Sequence, residues 1–101
     1  MTHRVVFTPE ARDQLDALHA YIASVADADT ATRFVGGIID HAETLRDFPA
    51  RGTPRDDLRA GLRTISWRRR VTLAFMVEKH DVVVIGAFYG GRDVESLLKE
   101  T

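Results

Sequence analysis

The chain has 101 residues, of which 45% are apolar and 29% charged, with a formal net charge of −1. That length fits one domain with its own core and little stability to spare, and the apolar share excludes a disordered chain. There is no cysteine, and His3, His19, His41 and His80 lack ligand-like spacing, which excludes a disulfide framework and a thiolate metal site and leaves neither metal nor other cofactor expected.

Residues 3–7, HRVVF, are β-branched and aromatic and predict a first strand. Thr8-Pro9-Glu10 then opens a helix: Thr8 can cap free amides, Pro9 suits the first helical position, and Glu10 favours the positive end of the dipole. Ala11, Leu15, Leu18, Ile22 and Val25 recur every three or four residues, so the helix runs to about residue 25 with one buried stripe, and Arg12, Asp13, Asp16 and His19 lie opposite. Residues 26–30, ADADT, break the pattern with capping and turning side chains. A second helix follows, with Ala31, Phe34, Val35, Ile38, Ala42 and Leu45 inward, and Pro49 ends it. Gly36-Gly37 within it costs about 1 kcal/mol per glycine relative to alanine. Either a neighbouring element approaches closely there, or the missing side chains leave a shallow groove for a partner.

Residues 51–61 are polar and punctuated by Gly52, Pro54 and Gly61, which predicts a loop with a helical turn at 56–60. Three strands follow. Residues 62–67 form one; residues 70–78 form the next, with Val71, Leu73, Phe75 and Val77 on one face and Arg70, Thr72, Ala74, Met76 and Glu78 on the other. After the tight connection Lys79-His80-Asp81, residues 82–89 are apolar at almost every position and predict a central strand covered on both faces. This run is too short to cross a bilayer, and residues 1–20 carry charges throughout in place of a signal-peptide core, so a cytoplasmic protein without a membrane partner is expected. Gly90-Gly91 leads into a closing helical segment at 93–99, capped by Asp93 and docked by Val94, Leu97 and Leu98. The whole chain, 1–101, forms a single domain without repeats or linkers.

Positive charge is local. Within residues 51–70, Arg51, Arg55, Arg59, Arg63, Arg68, Arg69 and Arg70 stand against Asp56 and Asp57, a formal +5, whereas residues 1–50 sum to −4 and residues 71–101 to −2. Clustered guanidiniums attract phosphate or carboxylate groups and pair with them through two parallel hydrogen bonds. Such an array is either a solvated face paired with the chain's own acids or a grip for RNA, DNA or an acidic protein. Trp67 is either an edge-of-core aromatic or a stacking platform. Phosphodiester cleavage without a metal needs a proton acceptor, a proton donor and cationic stabilisation. The acid or base candidates near the cations are Tyr89, Asp56, Asp57 and Glu78, and an ordinary tyrosine is a poor base.

Strand, helix hairpin, basic loop, three strands and a closing YGGRD, taken in that order, resemble the RelE/ParE toxin superfamily on its ParE branch, over nearly the whole chain. VVFTPEARDQLDALHAYI is similar to that family's opening strand and Thr-Pro-Glu-Ala helix entry. TATRFVGGIIDHAETLRDFPARGTPRDDLRAGLR is similar to its second helix, its Phe-Pro-x-x-Gly exit and its Leu-Arg-x-Gly-Leu-Arg approach to the sheet. FYGGRD is similar to its strand end, which maps onto Tyr89, Gly90, Gly91, Arg92 and Asp93. The resemblance implies an α+β fold, β-α-α-β-β-β with a short C-terminal helix, in which the helix hairpin packs on a mainly antiparallel sheet. It also implies a bacterial toxin of a type II toxin–antitoxin or plasmid-stabilisation module, neutralised by the C-terminal segment of a ParD-like antitoxin.

ParE-type members inhibit DNA gyrase, and RelE-type relatives cleave mRNA on the ribosome. On the first reading Arg55, Arg59, Arg63, Trp67, Arg68, Arg69, Arg70 and Arg92 bind target or antitoxin, and Gly36 and Gly37 line a groove. On the second, Arg63, Arg70 and Arg92 supply phosphate charge and Tyr89 transfers a proton. Homodimer and hetero-oligomer both stay open. Two positions depart from the family: Gly86 stands where many relatives carry Arg, and Phe75 where a Tyr is usual, which removes polar groups from the face expected to be active and leaves a non-toxic binding member of the family as a third reading.

Overall fold

Thr8 caps the first helix as its sequence demands. Its Oγ1 accepts the Ala11 N–H at 3.1 Å, and Pro9 opens α1 (Pro9–Val25). The computed structural model describes residues 3–90; the expected closing helix at 93–99 and Arg92 lie outside the described residues. Asp27 caps α2 (Ala28–Glu43) through an N–H from Thr30 at 2.7 Å, and that bond holds the Asp27 carboxyl below its ordinary value. A 3-10 turn, Thr44–Arg46, continues α2, so regular helix ends well before Pro49.

The strands are β1 (Arg4–Phe7), β2 (Thr53–Pro54), β3 (Leu62–Trp67), β4 (Val71–Glu78) and β5 (Asp81–Tyr89), in sheet order β1-β5-β4-β3-β2. β1 pairs with β5 in parallel, and the other neighbours are antiparallel. β2 is the element missing from the sequence expectation. Two residues flanked by Gly52 and carrying Pro54 show no alternating pattern, and only pairing with Arg63 and Thr64 makes them a strand.

The helix hairpin covers one face of the sheet. Ala11, Leu15, Leu18 and Ile22 of α1 and Ala31, Ile38 and Ala42 of α2 pack with Leu45, Ile65, Trp67, Val71, Leu73, Phe75, Val82, Val84 and Ala87. Burial of each large apolar side chain there contributes about 1.5–3 kcal/mol. The opposite face is only partly covered, by a small cluster of Leu62, Ala74 and Phe88 with Leu58, Met76 and Ile85 beside it. β5 is therefore not buried on both faces as its composition suggests; its far-face residues Val83 and Ile85 stay half-exposed. Val25 and Val77, expected inward, are 65% and 41% exposed: Val25 is the last residue of α1, and Val77 lies next to the end of β4, although its partner Val82 is fully buried.

A register shift bends the centre of the sheet. Ala74 faces Gly86 while Phe75 faces Val84, so Ile85 is the extra residue on β5. Beyond the shift the β5 backbone is re-aimed, and Gln14 of α1 reaches across to accept the Ala87 N–H at 2.7 Å.

Candidate functional site

β3 and β4 are joined by Arg68, Arg69 and Arg70, with Arg68 and Arg69 the central residues of a tight turn. Arg70 donates its N–H to the Trp67 carbonyl at 3.0 Å, and Arg68 and Arg69 sit at φ 51° and 57°. Left-handed backbone costs a residue with a Cβ roughly 1–2 kcal/mol, yet a turn of this type matches the twist of a tight hairpin. All three arginines are exposed.

Trp67, Val71 and Tyr89 form one rung at this end of the sheet. Beneath it the helices bring up further rings. Phe34 meets Trp67 edge-on at 4.8 Å and Tyr89 at 6.0 Å, and Tyr89 lies 6.2 Å from Tyr21. The aromatic row thus runs from buried Trp67, 8% exposed, to Tyr21, 54% exposed. Gly37 explains how α2 comes so near: a Cβ there would stand 2.6 Å from the Trp67 ring, whereas one at Gly36 would meet nothing. The close-approach reading thus holds for Gly37, and open space remains only at Gly36. The Arg68 guanidinium lies 4.7 Å above the Trp67 ring.

Beside the aromatic row opens a cleft of about 350 Å³, lined by Gln14, Ala17, Leu18 and Tyr21 of α1 and by Ala87 and Tyr89 of β5. β1 follows β5 only as far as the Phe7–Val84 pair, with Thr8 donating to the Val84 carbonyl at 3.0 Å. β5 continues to Tyr89, so among the described residues no strand covers its outer edge there, and Ala87 is satisfied on that side by a side chain.

The arginines expected to act together divide into two groups. At the β2 end, Arg63 donates to the carbonyls of Arg51 at 2.9 Å and Ala50 at 2.6 Å. Arg51 donates to Thr44 Oγ1 at 2.8 Å, and Arg55 forms a two-pronged pair with Asp57 at 3.0 and 2.9 Å. Arg59 lies half-buried in the same turn. These side chains hold the loop onto the sheet. Arg68, Arg69 and Arg70 follow the other end of β3, whose last residue Trp67 is four residues from Arg63, or about 13 Å of extended strand.

The nuclease constellation is correspondingly split. Arg70 is close to Tyr89 through Gly90, whose N–H donates to the Arg70 carbonyl at 2.9 Å, but Arg63 is not, and Arg92 lies outside the described residues. Tyr89 packs its ring against Tyr21 and Phe34, and no hydrogen bond to its hydroxyl forms among the described residues. Phe75 is fully buried in the helix-side core, and a Cβ at Gly86 would stand 2.7 Å from the Phe88 ring. Phe75 is therefore interior and takes no polar group from an exposed face, while the Gly86 backbone is buried between Phe88 and Gln14.

His41 of α2 titrates below its ordinary value because burial, and then the Arg51 charge, disfavour its cation, while a backbone hydrogen bond to Ser66 works the other way. Among the described residues no group of three or more His, Asp or Glu is placed to hold a metal ion, and no helix is long and apolar enough to cross a membrane.

Sequence reasoning missed Gln14, Tyr21 and Phe34 as parts of this end of the molecule. Tyr21 flanks the apolar stripe of α1, which was a usable signal. Gln14 carried none, because only the β5 register shift gives its amide a partner.

The sequence profile described as "ParE toxin of type II toxin-antitoxin system, parDE" matches residues 5–94. The chain belongs to the ParE toxin family. No curated protein sequence matches it significantly. Among solved structures, a chain of the "Chromosomal ParDE TA system from P. aeruginosa" superposes with a TM-score of 0.77 at 19% identity, covering 88% of this chain and 97% of that one. At that identity the match speaks to the fold, and it has the α+β architecture found here. The ParE profile spans the hairpin arginines, the aromatic row and the cleft alike.

Proposed function

We propose that this ParE-family toxin is held inactive in the bacterial cytoplasm by a ParD-like antitoxin and, once released, binds and inhibits DNA gyrase, as part of a plasmid-stabilisation module. Beyond family membership, the observation that supports binding over catalysis is the division of the arginines. A nuclease would set Arg63 beside Tyr89, but Arg63 holds the loop at residues 50–51, about 13 Å along the strand. The Tyr89 end offers cations and aromatic surface, with no hydrogen-bonded acid or base on the tyrosine among the described residues. Metal-free phosphodiester cleavage needs both proton-transfer groups. Occupation of a target surface needs neither, and the chain makes and breaks no bond.

The cleft and the adjoining open edge of β5 suit an extended antitoxin segment. Main-chain hydrogen bonds along residues 85–89 give affinity, and apolar side chains enter between Tyr21 and Tyr89. Acidic residues of the segment lie toward the hairpin arginines. The test is gyrase supercoiling titrated with the purified chain. Supercoiling falls and cleaved DNA accumulates, and a peptide of the antitoxin's C-terminal segment reverses both. Undiminished supercoiling at saturating toxin overturns the assignment of target.

A further inference from the structure

The hairpin at residues 67–70 has two features that gyrase binding leaves unexplained. The first is its residue choice. Turns whose two central residues both take positive φ are dominated by asparagine and glycine, because a Cβ strains there. Here those positions hold Arg68 at φ 51° and Arg69 at φ 57°. Both are exposed, and among the described residues no carboxylate pairs with Arg68, Arg69 or Arg70. Strained arginines that, among the described residues, fill no core and neutralise no acid point to a contact outside the molecule.

The second feature is support. Arg68 lies 4.7 Å over the Trp67 ring, and that ring is seated on Gly37 and met edge-on by Phe34 at 4.8 Å. Its guanidinium is held in place before any partner arrives, which lowers the entropy lost on binding.

We propose that Arg68, Arg69 and Arg70 form a contact for the phosphate backbone of duplex DNA. Phosphate contacts require cations and little else. A protein partner seated on the tip itself would need a buried apolar anchor at the centre of the patch, and the tip has none: Ser66 and Gly90 beside it are exposed, and Trp67 is 8% exposed beneath Arg68, whereas the antitoxin segment takes its apolar anchor from the cleft. Single-stranded nucleic acid is gripped by stacking bases on free aromatic faces, and at the tip itself the Trp67 ring, under Arg68 and edge-on to Phe34, offers none; the exposed ring of the row, Tyr21, lies at its far end. Outside Arg68–Arg70 the sequence is net acidic, −4 over residues 1–50 and −2 over residues 71–101 against +2 over residues 51–67, so the charge of the rest of the chain disfavours DNA.

The test is fluorescence anisotropy of a labelled duplex of about 20 base pairs with the purified chain alone, from about 20 to 200 mM salt. Three phosphate contacts give a log–log salt slope of about −2 to −3. Arg68→Asn with Arg69→Gly installs the residues this turn prefers, so the melting temperature holds or rises while affinity at low salt falls by about tenfold or more. Arg70→Gln, outside the strained pair, lowers the slope by about 1. Absence of binding at the lowest salt, unchanged affinity in the double variant, or tighter binding of a poly-glutamate peptide or a single-stranded RNA under the same conditions overturns the proposal. No gyrase is present, so failure here leaves the gyrase reading standing, and the converse also holds.

Discussion

Gly36→Ala and Gly37→Ala are chemically the same change at adjacent positions of one helix, and they should have opposite effects. Alanine is favoured over glycine in a helix interior by about 1 kcal/mol. At Gly36 a Cβ meets nothing, so that gain is kept and the variant melts roughly 4–8 °C higher. At Gly37 the new Cβ would lie 2.6 Å from Trp67 Cζ2 and 3.4 Å from two further ring atoms. Ordinary carbon contact requires the ring to retreat by about 1 Å. It is hemmed in by Phe34 at 4.8 Å and by Arg68 at 4.7 Å, so the strain is not easily relieved. Overpacking of this kind costs about 1–3 kcal/mol, which outweighs or cancels the helix gain and leaves Gly37→Ala from about neutral to about 2 kcal/mol less stable than the parent. Urea unfolding followed by Trp67 fluorescence suits the comparison, since Trp67 is the single tryptophan and sits at the contact. If Gly37→Ala were as stabilising as Gly36→Ala, the seating of the indole on the helix would be wrong, and with it the account of how the aromatic row is held.

Gln14→Ala should destabilise the chain by about 1–3 kcal/mol by leaving the part-buried Ala87 N–H without an acceptor; Gln14→Glu, which keeps an acceptor, should recover most of that in the same denaturation assay. Arg63→Ala should leave the β3–β4 hairpin intact but release the loop at residues 50–51, seen as faster amide exchange there and a stability loss of about 1 kcal/mol. His41 has a folded value below its unfolded one, so the folded state resists protonation: stability is complete above the ordinary value of 6.5 and is lost as pH falls from there through the lowered value. Thermal melts between pH 8 and pH 5 should show that decline, and His41→Gln should flatten it.

The sequence was most legible where local chemistry and burial agree. Thr8-Pro9 marks a helix start by capping alone and caps as expected, and the stretch 26–30 signals a second start, in which Asp27 is the residue that caps. The α1 stripe and the alternation of Val71, Leu73 and Phe75 gave the helix-covered face directly. What failed depended on pairing between distant segments. β2 exists only against β3, the Ile85 register shift only against β4, and the far face of β5 is left half-covered because no second layer of helices reaches it. Charge was the hardest to read. Seven arginines in 20 residues looked like one array, yet Arg51, Arg55 and Arg63 are engaged by the loop's own carbonyl, hydroxyl and carboxylate groups, and composition cannot tell a guanidinium that braces a loop from one that faces solvent.

The account stands on the protein gripping its target without chemistry of its own, and Tyr89→Phe tests that most directly. The ring contacts with Tyr21 and Phe34 survive the change and only the hydroxyl is lost. On induction without the antitoxin, the toxin dose that halves growth should stay within about twofold of the parent's, whereas loss of a proton-transfer role in mRNA cleavage would cost about 10²-fold or more. A loss of that size, in a variant that melts at the parent's temperature, would contradict the account.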